Sequence, residues 1–245
     1  MAGHSHWAGI KHKKALLDNK RGKLWSKLSK GIIVAAKMGG GDPDSNARLR
    51  LAITDAKAAN MPNDTIDRAI KKGTGELESA NLEQVLYEGY GPGGVAIMCD
   101  ILTDNRNRTA PELRKLFEVN GGKLGATNCV AYMFARKGLF IFPTQGIDED
   151  RLMEIALEAG ADDVQRDGDK FEVQCPVDVF SDVAEAFRAA GLEPESKQIA
   201  MIPDNYIDLD VETARKVLKL MESLDDHDDV QSVSSNFNVP DEALI

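Results

Sequence analysis

Apolar positions recur every three to four residues over the first third of the chain and every second residue over much of the rest, which predicts a run of helices followed by mixed α+β structure. Leu24, Leu28 and Ile32 repeat at i, i+4 and i+8 while Lys23, Lys27, Lys30 and Lys37 take the other faces. This is one amphipathic basic helix, ending near Gly39, Gly40 and Gly41. Asp42 and Pro43 predict the opening of a second helix, with the Asp42 carboxylate capping free amides, Pro43 in the first turn, and Leu49, Ile53 and Ala56 as the buried stripe. Pro62 restarts a third, which points Ile66, Ala69 and Ile70 inward and stops at Gly73. A polar linker, residues 74–81, comes next.

The period then changes from 3.6 to 2. Residues 82–90 and 95–103 predict a hairpin through Gly91, Pro92, Gly93 and Gly94, and Thr109 with Glu112 predicts a capping-box start to a helix ending at Gly121 and Gly122. Strands are expected at 129–134 and 139–142, then a helix at 148–160, a strand pair around Asp167-Gly168-Asp169, a helix at 178–191 and a strand at 197–202. The later part of that order is β-α-β-β-α-β, the ferredoxin-like unit. It is flanked by pieces that complete a second copy: strand, helix and strand before it, then 206–209, a helix at 211–224 and a strand at 230–236 after it. The expected fold class is therefore α+β: a three-helix domain at 1–80, a middle domain from 81–136 plus 204–245, and a ferredoxin-like domain at 137–203 inserted into it.

Charge sharpens this division. Residues 1–72 hold 15 Lys and Arg against 6 Asp and Glu, a net +9, and the remainder holds 15 against 34, a net −19. A basic head on an acidic body is the footprint of a chain that offers one end to phosphates, the plain alternative being a solvated charged helix. No apolar run approaches the ~20 residues of a membrane span, so no membrane partner and a cytoplasmic location are expected. Cys99, Cys129 and Cys175 are far apart and in apolar surroundings, which suits small core residues and neither a disulfide framework nor a zinc site.

The chemistry-bearing motifs are few. Gly89-x-Gly91-x-x-Gly94 matches a dinucleotide fingerprint in form, but the segment after it, 95–103, reads as a strand rather than the helix that would receive a pyrophosphate. Three of four histidines fall in the first twelve residues and His227 lies in the acidic stretch 225–229, so no catalytic group, resident metal or cofactor is expected. A free Ala2-Gly3-His4 end, left by removal of Met1, has the donor set to enclose copper(II) or nickel(II). The positive signal is the interleaving of cations with Trp7 and histidines. Trp7, Lys11, His12, Lys13, Lys14, Lys20, Arg21, Lys23 and Lys27 are the candidate nucleic-acid contacts of the head. Trp25 shares the apolar stripe, so packing competes with stacking for its role. Arg106 and Arg108, beside a helix amino terminus, form a second candidate phosphate site, with an inter-domain ion pair through Asp104 as the equal alternative.

The same residues carry a resemblance. Ala2-Gly-His-Ser-x-Trp with Ile10-Lys-His, Lys20-Arg-Gly-Lys, Gly40-Gly-Asp-Pro, Asn60-Met-Pro, Arg68-Ala-Ile-Lys-Lys-Gly, Tyr87-Glu-Gly-Tyr-Gly-Pro-Gly-Gly-Val-Ala and Leu102-Thr-Asp-Asn-Arg-Asn-Arg-Thr resemble the YebC family over residues 2 to about 135. His6 stands where the pattern has lysine, and Ala126-Thr-Asn-Cys where it has a Gly-Ser-type run. The resemblance implies a three-domain α+β protein and a non-enzymatic, DNA-binding regulator of transcription. Its mitochondrial relatives, translational activators of cytochrome c oxidase, imply the alternative, a ribosome- or RNA-associated activator that relieves stalling. In either role the head takes DNA or structured RNA, and the acidic body is the expected docking face for the ribosome or the transcription machinery.

Overall fold

Three helices build the head, α1 (Arg21–Gly39), α2 (Ala47–Ala58) and α3 (Asn63–Thr74), in a computed structural model that describes residues 21–78, 81–240 and 243. Ile32, Ala35, Leu49, Ala56, Ile66 and Ala69 form their shared core. The apolar stripe of α1 holds at Leu28 and Ile32 and departs from its expected place only in the first turn. Leu24 is exposed, and Trp25 packs on the core while its Nε1 donates to the Ala59 carbonyl at 3.0 Å. Gly73 does not end α3. It lies where α3 crosses α1, and a Cβ there would meet the Ile33 carbonyl and Ala36, so the glycine serves close approach and Gly75, at φ 84°, closes the helix.

The expected cap at Asp42 is also corrected. Asp42 accepts from the Asp44 amide in a turn, and α2 begins four residues later, where the buried Asn46 accepts from the Leu49 amide. Asn46 also donates to the Ala35 and Gly40 carbonyls at 2.9 and 2.8 Å, so one amide ties the end of α1 to the start of α2. Asn46→Ala is expected to cost about 1–2 kcal/mol, read as a lower melting temperature by circular dichroism. An unchanged melt would show that the cap is dispensable.

The body opens on a hairpin, β1 (Glu83–Tyr90) and β2 (Ala96–Thr103), joined through a turn at Pro92–Gly94 as the glycines predict. Next come α4 (Arg106–Val119) and β3 (Lys123–Leu124). The chain then forms a complete unit: β4 (Phe134–Pro143), α5 (Glu149–Glu158), β5 (Asp163–Asp167), β6 (Lys170–Cys175), α6 (Phe180–Ala189) and β7 (Ser196–Pro203). It returns through β8 (Ile207–Asp208) and α7 (Val211–Asp225) to β9 (Val230–Ser235), and β8 pairs in parallel with β10 (Phe237–Asn238). Because β9 pairs with β2, the β4–β7 unit is an insertion.

Both large sheets are antiparallel throughout, in the orders β3-β1-β2-β9 and β5-β6-β4-β7. The second is the ferredoxin-like arrangement. The first has the same spatial places, but the strand in the third place, β1, enters the chain first. Helices α4 and α7 cover one face of it, packing Leu113, Phe117 and Leu220 against Ile97, Cys99 and Ile101 of β2. In the insert, Phe140 and Phe142 of β4 stack and cross with Phe180 and Phe187 of α6.

Two further expectations are corrected here. Residues 129–133 are not a strand; they turn through a 3₁₀ segment, and one strand runs unbroken from Phe134 to Pro143. The apparent break at Gly138 is a packing site, since a side chain there would meet Phe180 and the Cys175 Sγ. Helix α4 starts three residues before Thr109, capped by Asn105, whose side chain accepts from the Arg108 amide, while Thr109 is buried and bonded elsewhere. Cys99 and Cys175 are core residues, but Cys129 is only half-buried. Among the described residues no helix is long and apolar enough to cross a membrane.

Candidate nucleic-acid interface

Lys23, Lys27 and Lys30 succeed one another at spacings of four and three, so they share a face of α1. That face is largely covered at Lys27 and Lys30, while Lys23 stays more than half exposed at its edge. It meets the turn 225–229, where α7 ends and its last carbonyls carry the negative end of the helix dipole. Lys23 Nζ donates to the Asp226 carbonyl at 3.2 Å and lies 3.9 Å from the Asp228 carboxylate. Lys27 donates to the Asp225 carbonyl and lies 3.7 Å from its carboxylate, and Lys30 donates to the Asp228 carbonyl at 3.0 Å. Ammonium groups from the head thus satisfy a helix end of the body across some 200 residues of sequence.

Asp229 is the centre of this contact. It is 3% exposed, and its carboxylate accepts from Lys30 at 2.7 Å, from Arg108 and Thr109 at 2.8 Å each, and from Thr103 at 3.2 Å. Burial alone would raise its pKa. The bonds from Lys30, Arg108 and Thr109 outweigh that, so the carboxyl is held well below the ordinary carboxylate range. With the folded value below the unfolded value of about 3.9, its stabilisation is full above that pH and is lost as pH falls through the folded value. Asp229→Asn is accordingly expected to cost about 1–2 kcal/mol at pH 7, a drop of roughly 2–8 °C in melting temperature, with Arg108 half exposed and able to rehydrate. The gap to the unmodified chain narrows below about pH 3; equal melting at pH 7 would show the node to be inert.

The arginine pair is likewise engaged. Arg106 Nε lies 2.6 Å from the Glu83 carboxylate, and Arg108 bridges Asp104, at 3.0 Å, and Asp229. The Asp104 pair is local to one helical turn, and the link between domains runs through Asp229 and Lys30 instead. His227 accepts from the Asp229 amide on Nδ1, which leaves Nε2 to donate to Glu112 at 2.9 Å. Asp104, Arg108, Glu112, His227 and Asp229 line a cleft of about 970 Å³ between α1, α3 and α4, whose lining also includes Lys72, Lys115, Asp226 and Asp228. Its lining carries both signs, so it is no simple anion pocket.

Of the sequence candidates, the structure brings Lys23 and Arg108 to the lining of this one cleft, and Lys27 to the Asp225 carbonyl beside it. Arg106 points to β1, and Arg21 begins α1 with its side chain outside the described part. Trp7, Lys11, His12, Lys13, Lys14, Lys20 and the Ala2-Gly3-His4 end lie outside the described residues. Among the described residues Lys57, Arg68 and Lys71 make no ion pair. The residue that sequence reasoning missed altogether is Asp229, whose signal was the run of acids around His227; Lys30 was read as part of the basic face and not as a candidate contact.

Comparison with known proteins fits this architecture. Residues 5–76 match the model of the TACO1/YebC protein N-terminal domain, and residues 82–237 that of the TACO1/YebC second and third domain. A probable transcriptional regulatory protein of Rhodopirellula baltica is 59% identical over 245 residues, all of this chain and 99% of the relative. One from Natranaerobius thermophilus is 55% identical, again over all of this chain and 99% of the relative. The crystal structure of a conserved hypothetical protein from Aquifex aeolicus superposes with a TM-score of 0.88 at 49% identity, covering 98% of this chain and 99% of that one.

Proposed function

The chain belongs to the TACO1/YebC family, and from that premise we propose that it is a non-enzymatic regulator of transcription that binds DNA through the basic head. The observation that carries this reading is the partition of charge, +9 over residues 1–72 against −19 over the rest. Relatives named as probable transcriptional regulatory proteins support the transcriptional role. The acidic body then orients the head toward phosphate and offers a face to the transcription machinery.

A second reading, a ribosome- or RNA-associated translational activator, is favoured by one observation. The head's cations are mostly lysines, point charges that lack the fork geometry of arginine for base edges, so contact with phosphate dominates over sequence. Crosslinking in growing cells and sequencing of the recovered nucleic acid separates the two. Recovery of promoter DNA is the expected result. Recovery chiefly of ribosomal RNA would overturn the transcriptional reading and establish the other.

A further inference from the structure

The face of the β3-β1-β2-β9 sheet turned away from α4 and α7 carries a second set of features that the head does not explain. Along β1, Val85 and Tyr87 pack on the helix side, which puts Leu86, Glu88 and Tyr90 on the opposite face. Part of that face is covered, as Ala96 and Met98 pack beneath Val130, Phe134 and Met201. The uncovered part leaves Leu86 39% and Tyr90 36% exposed, and Tyr132 beside them is 71% exposed.

Tyr132 is held on a fixed support. The Glu88 carboxylate, 2% exposed, accepts from the amides of Asn128, Val130 and Ala131 at 2.7, 2.8 and 2.7 Å. The Gly125 amide donates to the Glu88 carbonyl, Asn128 adopts φ 64°, and the Tyr90 hydroxyl donates to the Cys129 carbonyl at 2.9 Å. Burying a carboxylate is costly, and here all three donors come from one loop, so Glu88 ties that loop to β1 beneath an exposed ring. The two phenols are close enough for Tyr132 to help raise the pKa of Tyr90, after desolvation.

Cations stand at both ends of the row. Lys123 is directly opposite Tyr90 in the β1–β3 register and therefore on the same face, and it makes no ion pair among the described residues. At the other end Arg48 of the head donates to Gln84 at 3.1 Å, Gln84 donates to Asp100, and Arg48 and Arg136 both act on the Asp100 carboxyl. An aromatic and apolar strip between cations suits unpaired bases with a phosphodiester running alongside, and its uncovered part along β1 offers two rings, Tyr90 and Tyr132, for stacking. A duplex keeps its base faces to itself. We infer that this face is a binding platform for single-stranded nucleic acid, with bases stacked on Tyr132 and Tyr90 and phosphates held by Lys123 and Arg136.

The inference rests on the reading that the chain binds nucleic acid, but it uses a site separate from the head. Fluorescence anisotropy on the full chain at one fixed salt concentration tests it with three probes of equal length: oligouridine, oligothymidine and a DNA duplex. Tyr132→Ala, at an exposed position, is expected to weaken single-strand binding about tenfold and to leave duplex binding unchanged, and Tyr132→Phe to restore it. Loss in either single-strand arm supports the platform, and the arm tells the sugar preferred. Lys123→Glu is expected to weaken the same arms. Absence of single-strand binding by the unmodified chain, or Tyr132→Ala affinities equal to it, overturns the platform and leaves this face to a protein partner. Absence of duplex binding with single-strand binding intact overturns the role of the head alone.

Discussion

Replacing Lys11, Lys13, Lys14, Lys20 and Arg21 together by alanine is expected to reduce affinity for duplex DNA on the order of a thousandfold at physiological salt. With Lys23, Lys27 and Lys30 occupied by the turn 225–229, these five are the head's remaining cations at its amino-terminal side. Five phosphate contacts give log K a slope of about −4.5 against log salt, so the unmodified chain loses roughly 500-fold in affinity between 50 and 200 mM. The five-fold variant is expected to be nearly flat over the same range. Because phosphates carry no sequence, two unrelated duplexes lose affinity alike. Filter binding across a salt series measures both quantities. A variant that keeps the steep slope would place the contacts elsewhere, and one that loses a single sequence only would mean that bases are read directly.

How much of the fold was legible in the sequence depends on the range of the interaction concerned. The β4–β7 insert was readable because each element is bounded by its own local signals, such as Asp148 at the start of α5 and the Asp167-Gly168-Asp169 turn between β5 and β6. The errors came where a local signal had a stronger competitor. Asp42-Pro43 has the composition of a helix start, but Asn46 makes three bonds at once and takes the role. Gly138 has the composition of a break, but β6 and β7 pair on either side of it and hold the strand straight. Thr109 and Glu112 fit a capping box, yet the Thr109 hydroxyl bonds to Asp229 from 120 residues away. No periodicity reports such a distance. The candidate site shows the same limit: the lysines of α1 were visible as a basic face, whereas their carboxylate partners became visible only when α7 was folded against them.

On the proposed reading, the joint between α1 and the end of α7 is also expected to restrain binding. The carbonyls and carboxylates of 225–229 present oxygens to Lys23, Lys27 and Lys30 much as phosphates would, so the head is partly neutralised by its own body. Asp225→Asn, Asp226→Asn and Asp228→Asn in one chain weaken this hold while leaving Asp229 and its buried bonds in place. If Lys23 and Lys27 are freed for phosphate, the slope of log K steepens by about 1.8, from roughly −4.5 to −6.3, and the affinity gain at physiological salt is about thirtyfold, or ~2 kcal/mol. Removing three negative charges also raises affinity through the general field, which the Debye length of ~8 Å confines to nearby groups. Glu149→Gln, Asp150→Asn and Glu154→Gln on α5 make the same charge change away from α1 and are expected to gain little. Lys23→Ala with Lys27→Ala in the 225–228 variant is expected to return both affinity and slope to their starting values. Should the 225–228 variant bind no more tightly than the α5 control, the three lysines serve the joint between head and body alone, and phosphate contact belongs to the cations before them.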